Sequence, residues 1–191
     1  MTVETPWDYT VNSLDSMISV SDFKALCPGM SSTDEQIQAV LDAVSAAVRD
    51  YCGWHVSPSL ECTFTGHGEG GLLILPAMGV TSVESLYVSG EAVTDYEWTA
   101  AGMVRLKGVT FPNEWRSVVC TYNAGFSIGA IGQVVAQIAS NALAAAPGVA
   151  NERAGNVSIT YNQTGAGITG GVSLLPRDYE ILAPYKLARA R

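Results

Sequence analysis

The sequence has 191 residues, of which 48% are hydrophobic and 15% charged, enough for a sizeable apolar core with few charges on the surface around it. Eighteen acidic against ten basic residues leave a formal net charge of −8, without the clustered lysine and arginine that tight phosphate binding needs, which argues against ordinary DNA binding. The four cysteines, Cys27, Cys52, Cys62 and Cys120, contain no CxxC pair, so neither a disulfide framework nor a zinc ribbon is indicated and the thiols read as reduced.

Residues 1–20 mix polar and apolar positions without a period and are expected to form an N-terminal arm. Acids in MTVETPWDYT, with no apolar stretch behind them, are unlike a signal peptide, so the chain is expected to stay in the cytoplasm where it is made. Ser21 and Asp22 before FKAL predict a short capped helix, halted by Pro28-Gly29. The next stretch, residues 32–58, predicts a long helix opened by a capping box of Ser32 and Glu35. Ile37, Val40, Leu41, Val44, Val48 and Tyr51 recur at spacings of three and four and define its buried face, with Asp34, Gln38, Asp42, Ser45 and Arg49 elsewhere on the cylinder. Gly53 suits a left-handed position just beyond the helix end.

After Pro58 the period changes to that of strands. Runs at 60–65, 72–75, 83–88, 96–99, 103–106 and 118–122 are short, rich in Val, Leu, Thr and aromatics, and punctuated by Gly, Asp or Pro. The turn Ala100-Ala101-Gly102 predicts a hairpin between YEWT and MVRL, and Ser89-Gly90 offers a second turn.

Helical spacing returns from Ala130, with Ile131, Val134, Val135, Ile138, Ala142 and Leu143, and Pro147-Gly148 ends it. Gln133, Gln137, Ser140 and Asn141 interrupt this apolar stretch, so no membrane span is expected. Gly132, Ala136 and Ala139 make the helix thin enough for close approach by a neighbour. The first residues of 156–173 alternate as a strand does, and Gly165, Gly167, Gly170 and Gly171 then predict a flexible loop over 162–173. Its glycines lack the buried strand before them and the helix opening directly from them that a dinucleotide fingerprint needs. A last helix opens at Pro176, Pro184 kinks or ends it, and YKLARAR forms a basic tail.

The fold class is therefore α+β: a helical bundle of about three main helices, residues 21–58 and 127–191, with a small antiparallel β subdomain inserted at 59–126. Chemistry is poorly supported. Cys52, His55, Cys62 and His67 are soft ligands within sixteen residues, but Cys52 sits at a helix end and Cys62 inside a strand, which suits buried thiols and a buried histidine better than zinc. There is no GxSxG, and the pairs Asp178/Glu180 and Asp95/Glu97 have a spacing that points their carboxylates apart where the chain is helical. Tyr96, Trp98, Trp115 and Tyr122 could stack a sugar, yet aromatics on short strands ordinarily fill a core. No catalytic residue, metal site or cofactor is indicated, and the chain does not read as an enzyme.

The ordered set LDAVSAAVRDYCGWHVSPS, LLILP, VTSVESLYVSG, DYEW, VRLKG, VVCTYNAGF and an alanine-rich helix resembles the head-to-tail connector, or adaptor, proteins of long-tailed bacteriophages, particularly those infecting actinobacteria. The similarity runs from about residue 21 to 187, and Tyr51, Cys52, Gly53, Trp54 and His55 carry its most specific piece. The resemblance implies a structural virion protein of the neck: a homo-oligomeric ring, generally dodecameric, beneath the portal protein, with a tail-side connector or stopper docked onto it and DNA passing through on ejection without specific binding. It further implies that the basic segment with Tyr185, Lys186, Arg189 and Arg191 reaches the portal, and that the loop with Asn162, Gly165, Gly167, Gly170 and Gly171 faces the channel. The acidic balance suits a conduit that must not hold phosphate. Two other readings stand beside it: a carbohydrate-binding or tail-appendage module resting on the β aromatics, and a zinc-dependent protein resting on Cys52, His55, Cys62 and His67.

Overall fold

A computed structural model describes residues 2–144, 151–154, 157–160, 163–165, 168–169, 172 and 174–187. The chain divides into two compact units, one of Met1–Leu14, Cys52–Ser127 and Tyr185–Arg191, the other of Asp15–Tyr51 and Ile128–Pro184.

The first unit is built on strands β1 (Val3–Glu4), β2 (Tyr9–Val11), β3 (Leu60–Gly66), β4 (Leu72–Ile74), β5 (Val80–Val88), β6 (Glu91–Ala92), β7 (Tyr96–Trp98), β8 (Met103–Leu106) and β9 (Val118–Ala124). They form an antiparallel six-stranded sheet in the order β1-β2-β3-β9-β5-β6 and a three-stranded sheet in the order β4-β8-β7. Register explains the core. Val11, Cys62, Tyr122 and Val83 lie in one cross-strand row, and Tyr9, Phe64, Cys120 and Leu86 in the next. Alternation puts these on one face, where Tyr9, Val11, Cys62, Leu86, Cys120 and Tyr122 are buried. The opposite face carries Thr10, Thr63 and Thr121, the last two with hydroxyls 3.4 Å apart.

Both predicted turns occur. Ser89 and Gly90 have φ of +50° and +84°, the left-handed pair that joins β5 to β6 tightly. Gly102, at φ +83°, closes the β7–β8 hairpin, and a Cβ there would lie 2.4 Å from the Ala77 carbonyl oxygen. Residues 1–20 do not form a free arm, however. Trp7, Tyr9 and Val11 are buried, and β2 pairs along β3. A three-residue strand whose partner lies some fifty residues away has too little local pattern to be seen in sequence.

The second unit holds α1 (Val20–Leu26), α2 (Asp34–Cys52, whose last residue belongs to the first unit), α3 (Gly129–Ala144) and α4 (Pro176–Leu182), with two antiparallel strand pairs between α3 and α4 in the chain, β10 (Asn151–Ala154) with β11 (Val157–Thr160) and β12 (Gln163–Gly165) with β13 (Ile168–Thr169). A short 3-10 turn, Ala183–Tyr185, follows α4. The chain is α+β as expected, but not three main helices around a small sheet: of the four described helices two are long and two have seven residues, and the sheets are substantial. Among the described residues no helix is long and apolar enough to cross a membrane.

The caps differ from the sequence reading by small shifts. α1 opens on Ser19, whose hydroxyl accepts the Asp22 N–H at 3.1 Å while the Asp22 carboxylate accepts the Ser19 N–H at 3.4 Å. α2 opens on Thr33, which exchanges the same pair of bonds with Gln36 at 3.3 and 3.0 Å, one residue beyond the expected Ser32/Glu35 box. The string STDEQ carries two overlapping capping patterns, and only the second puts the Thr33 carbonyl in reach of the Ile37 N–H, at 2.9 Å.

The buried face of α2 holds Ile37, Leu41, Val44 and Val48 as expected, each worth about 1.5–3 kcal/mol of transfer free energy, whereas Val40 and Tyr51, also expected there, are only half-buried at its edge. It is wider than the apolar spacing implies, because Ser45 and Arg49 are also buried. The Ser45 hydroxyl accepts the Met17 N–H at 2.9 Å and the Arg49 guanidinium donates to the Asp15 carbonyl at 2.7 Å, so these side chains satisfy the backbone of a segment that covers the helix. The thin helix is used in the predicted sense: a Cβ on Gly132 would lie 2.6 Å from the Ile128 and 3.3 Å from the Ile18 side chain.

Candidate partner-docking site at the C-terminal segment

Tyr51, at the end of α2, sets its hydroxyl 3.4 Å from the Tyr179 carbonyl and its ring edge-on to the Tyr179 ring, with centroids 4.8 Å apart. Gly53 then takes φ +79°, the left-handed position that ends a helix at little cost only for glycine. Val56 also lies at φ +64°, a strained conformation for a β-branched residue, and is fixed there by burial and by its carbonyl accepting the Phe126 N–H at 2.8 Å.

Between Tyr51 and Val56 the chain presents two groups to one segment, and Phe126 adds a third. The Trp54 indole N–H donates to the Tyr185 carbonyl at 2.6 Å, and the Cys52 carbonyl accepts the Leu187 N–H at 2.9 Å. Phe126 stands edge-on to both Trp54 and Tyr185, at 5.7 and 5.2 Å. The bonds to backbone hold the segment whatever its side chains, while the aromatic contacts select Tyr185. Tyr185 is thus seated within the first unit, and Lys186 beside it is exposed. Arg189 and Arg191 lie outside the described residues.

His55 is buried one residue further on. Its Nε2 lies 2.9 Å from the Ala124 carbonyl and its Nδ1 2.8 Å from the Tyr9 hydroxyl, which also accepts the His55 backbone N–H at 2.9 Å. A carbonyl only accepts, so the network puts the ring proton on Nε2 and leaves Nδ1 to accept from Tyr9. Burial pushes the thiols of Cys52, Cys62 and Cys120 up to about 12, with Lys186 opposing the shift at Cys52. Protonated thiols and an engaged imidazole are poor ligands. His67 stacks instead on Trp115, with ring centroids 5.1 Å apart, and among the described residues no three His, Cys, Asp or Glu side chains converge as a metal site would need.

The aromatic platform is not assembled either. Tyr122 is fully buried in the sheet core, whereas Trp115 is 80% exposed, so the four candidates share no surface. Asp95 and Glu97 both pair with Lys107, at 3.6 and 3.4 Å, and the Asp178 carboxylate caps α4 through the Leu175 N–H at 2.9 Å. Of the loop candidates, Gly165 ends β12 opposite Ile168; Asn162, Gly167, Gly170 and Gly171 lie outside the described residues. Sequence reasoning missed Tyr9 and Phe126, the partners that explain His55 and Trp54, since neither carries a spacing signal linking it to the helix end.

No protein-family model and no curated protein matches the sequence. Solved structures do match in fold. One is a chain of the neck of an empty gene transfer agent (GTA) particle computed with C6 symmetry, with a TM-score of 0.64 and 16% identity over 100% of this chain and 97% of that one. Another is from the neck of a native GTA particle computed with C12 symmetry, with a TM-score of 0.61 and 14% identity over 100% and 97%. A third is from the virion of a native gene transfer agent, at 0.64 and 14% over 96% and 97%. At such identities the likeness is one of fold, and it extends over essentially the whole of both chains.

Proposed function

We propose that this chain is a structural, non-enzymatic protein of the neck of a tailed, phage-like virion, a head-to-tail connector of the adaptor type. The observation that carries the reading is the fold shared over 96–100% of this chain with chains of GTA necks and virion. The symmetries of the two necks, C6 and C12, support a homo-oligomeric ring, dodecameric in the simplest case. In this reading the ring lies beneath the portal protein, receives a tail-side connector or stopper, and lets DNA through during ejection. The virion is of the long-tailed type that infects actinobacteria, and the subunit is made in the host cytoplasm.

In this reading the basic segment with Tyr185, Lys186, Arg189 and Arg191 reaches the portal, and the seat of Tyr185 supports that contact. The segment 162–171, with Asn162, Gly165, Gly167, Gly170 and Gly171, faces the channel. An acidic chain, with a formal charge of −8, supports a passage that repels the duplex and does not retain it. Quantitative mass spectrometry of purified particles tests the reading: the chain should be present in the same copy number as the portal protein, and its absence from particles would overturn the proposal.

A further inference from the structure

The three-stranded sheet has one face in the core and one in solvent. Leu73, Val104 and Leu106 are buried, while Leu72, Ile74 and Met103 are 36%, 67% and 40% exposed. Register puts Ile74 directly opposite Met103, Leu72 opposite Arg105, and Arg105 opposite Glu97, so these residues alternate onto the same outer face. A single exposed apolar residue is ordinary, but three adjoining on a flat sheet around an arginine form a patch of the composition found in protein contacts. Glu97, the acid facing Arg105, is drawn to Lys107 at 3.4 Å, and among the described residues Arg105 makes no ion pair.

A second surface has the opposite character. Val20 and Ala39 floor a shallow groove along α1 and α2, bordered by the carboxylates of Asp34, Glu35 and Asp42. Asp34 is bridged by Lys24, and Asp42 accepts from Gln38 at 2.9 Å, whereas Glu35 makes no ion pair among the described residues.

We propose that the outer face of the β4-β8-β7 sheet on one copy of the chain docks onto the α1–α2 groove of the next copy, with Met103 and Ile74 over Ala39 and Arg105 on Glu35. The inference rests on the ring reading above, and a second copy is the occupant for two reasons. A closed ring needs a head-to-tail contact between two different surfaces of one subunit, which this pair supplies. Copies carrying a net charge of −8 repel one another broadly, so contact is favoured where an unpaired cation meets an unpaired carboxylate. The spacings agree. Met103 and Arg105 are two residues apart on a strand, about 7 Å. Ala39 and Glu35 are one helical turn apart, about 6 Å.

The test is a concentration series of the full chain by sedimentation velocity, for the wild type, Ile74→Asp, Arg105→Glu and the charge swap Arg105→Glu with Glu35→Arg, with thermal melts to show that each exposed substitution leaves the fold intact. Arg105→Glu and Ile74→Asp should move self-association to at least roughly ten-fold higher concentration, and the charge swap should return it towards wild type. Unchanged association in both single variants, a charge swap no better than Arg105→Glu, or a wild type that stays monomeric throughout would each overturn the inference. Particle copy number separates this from the ring reading: a chain matching the portal in number, with association indifferent to these substitutions, leaves the ring standing and removes only this surface.

Discussion

Trp54 donates its indole N–H to the carbonyl of Tyr185, 131 residues later, across 2.6 Å. The bond turns the end of a helix into a seat for the C-terminal segment. Trp54→Phe removes the donor and, at a fully buried position, part of the ring volume, and should cost about 3 kcal/mol or more because the Tyr185 carbonyl loses its partner and a cavity is left behind. The same substitution should expose the tail to carboxypeptidase, so that trimming proceeds past residue 187 faster than in wild type; equal trimming rates would show that the seat does not hold the segment.

Tyr9→Phe removes a hydroxyl that serves two atoms of His55, the backbone N–H and Nδ1. The ring remains to fill the core, so any loss is polar. A cost of about 1–3 kcal/mol is expected, read as a lower urea midpoint at unchanged slope. A variant as stable as wild type would mean that His55 is satisfied without Tyr9.

The raised thiol pKa values set a pH dependence with a definite sign. The unfolded chain ionises its cysteines from about 9, while folded Cys52, Cys62 and Cys120 hold their protons up to about 12. Between those values the unfolded state binds fewer protons, so these groups make stability fall as pH rises, by up to about 1.4 kcal/mol per pH unit for each thiol, with the slope fading out by about pH 8. At pH 8 a thiol reagent should label half-buried Cys27 first and the three buried cysteines only on unfolding. Rapid labelling of all four in the native protein would contradict the burial.

Gly102 and Gly108 both have positive φ, +83° and +74°, but only a Cβ on Gly102 meets an atom, the Ala77 carbonyl oxygen. Gly108→Ala should cost about 1 kcal/mol through the backbone alone. Gly102→Ala should cost clearly more and loosen the β7–β8 hairpin, measurable as faster hydrogen exchange at Met103. Equal costs would show that Ala77 moves aside freely.

These relationships also mark what could be read from the residues. The periods of α2 and α3, the β5–β6 and β7–β8 turns and the C′ role of Gly53 are local signals, and all were legible. The cap of α2 fell one residue from its expected place because STDEQ offers two boxes, and the residue pattern alone does not choose between them. Ser45 and Arg49 fell outside the expected buried face because nothing in the helix records that residues 15–17 lie across it. The Trp54–Tyr185 and His55–Tyr9 pairs span 131 and 46 residues, and no spacing rule reaches that far.

The seat at Trp54 also orders events in time. The first unit draws on three separated stretches of chain, and Tyr185 is synthesised after all of residues 128–184. On the ribosome, therefore, the face of Phe126 and the indole donor of Trp54 stay uncovered while that whole intervening stretch emerges. Until Tyr185 arrives, the indole N–H of Trp54 has no Tyr185 carbonyl to meet and the ring of Phe126 lacks its second aromatic neighbour, so this corner of the first unit is completed last.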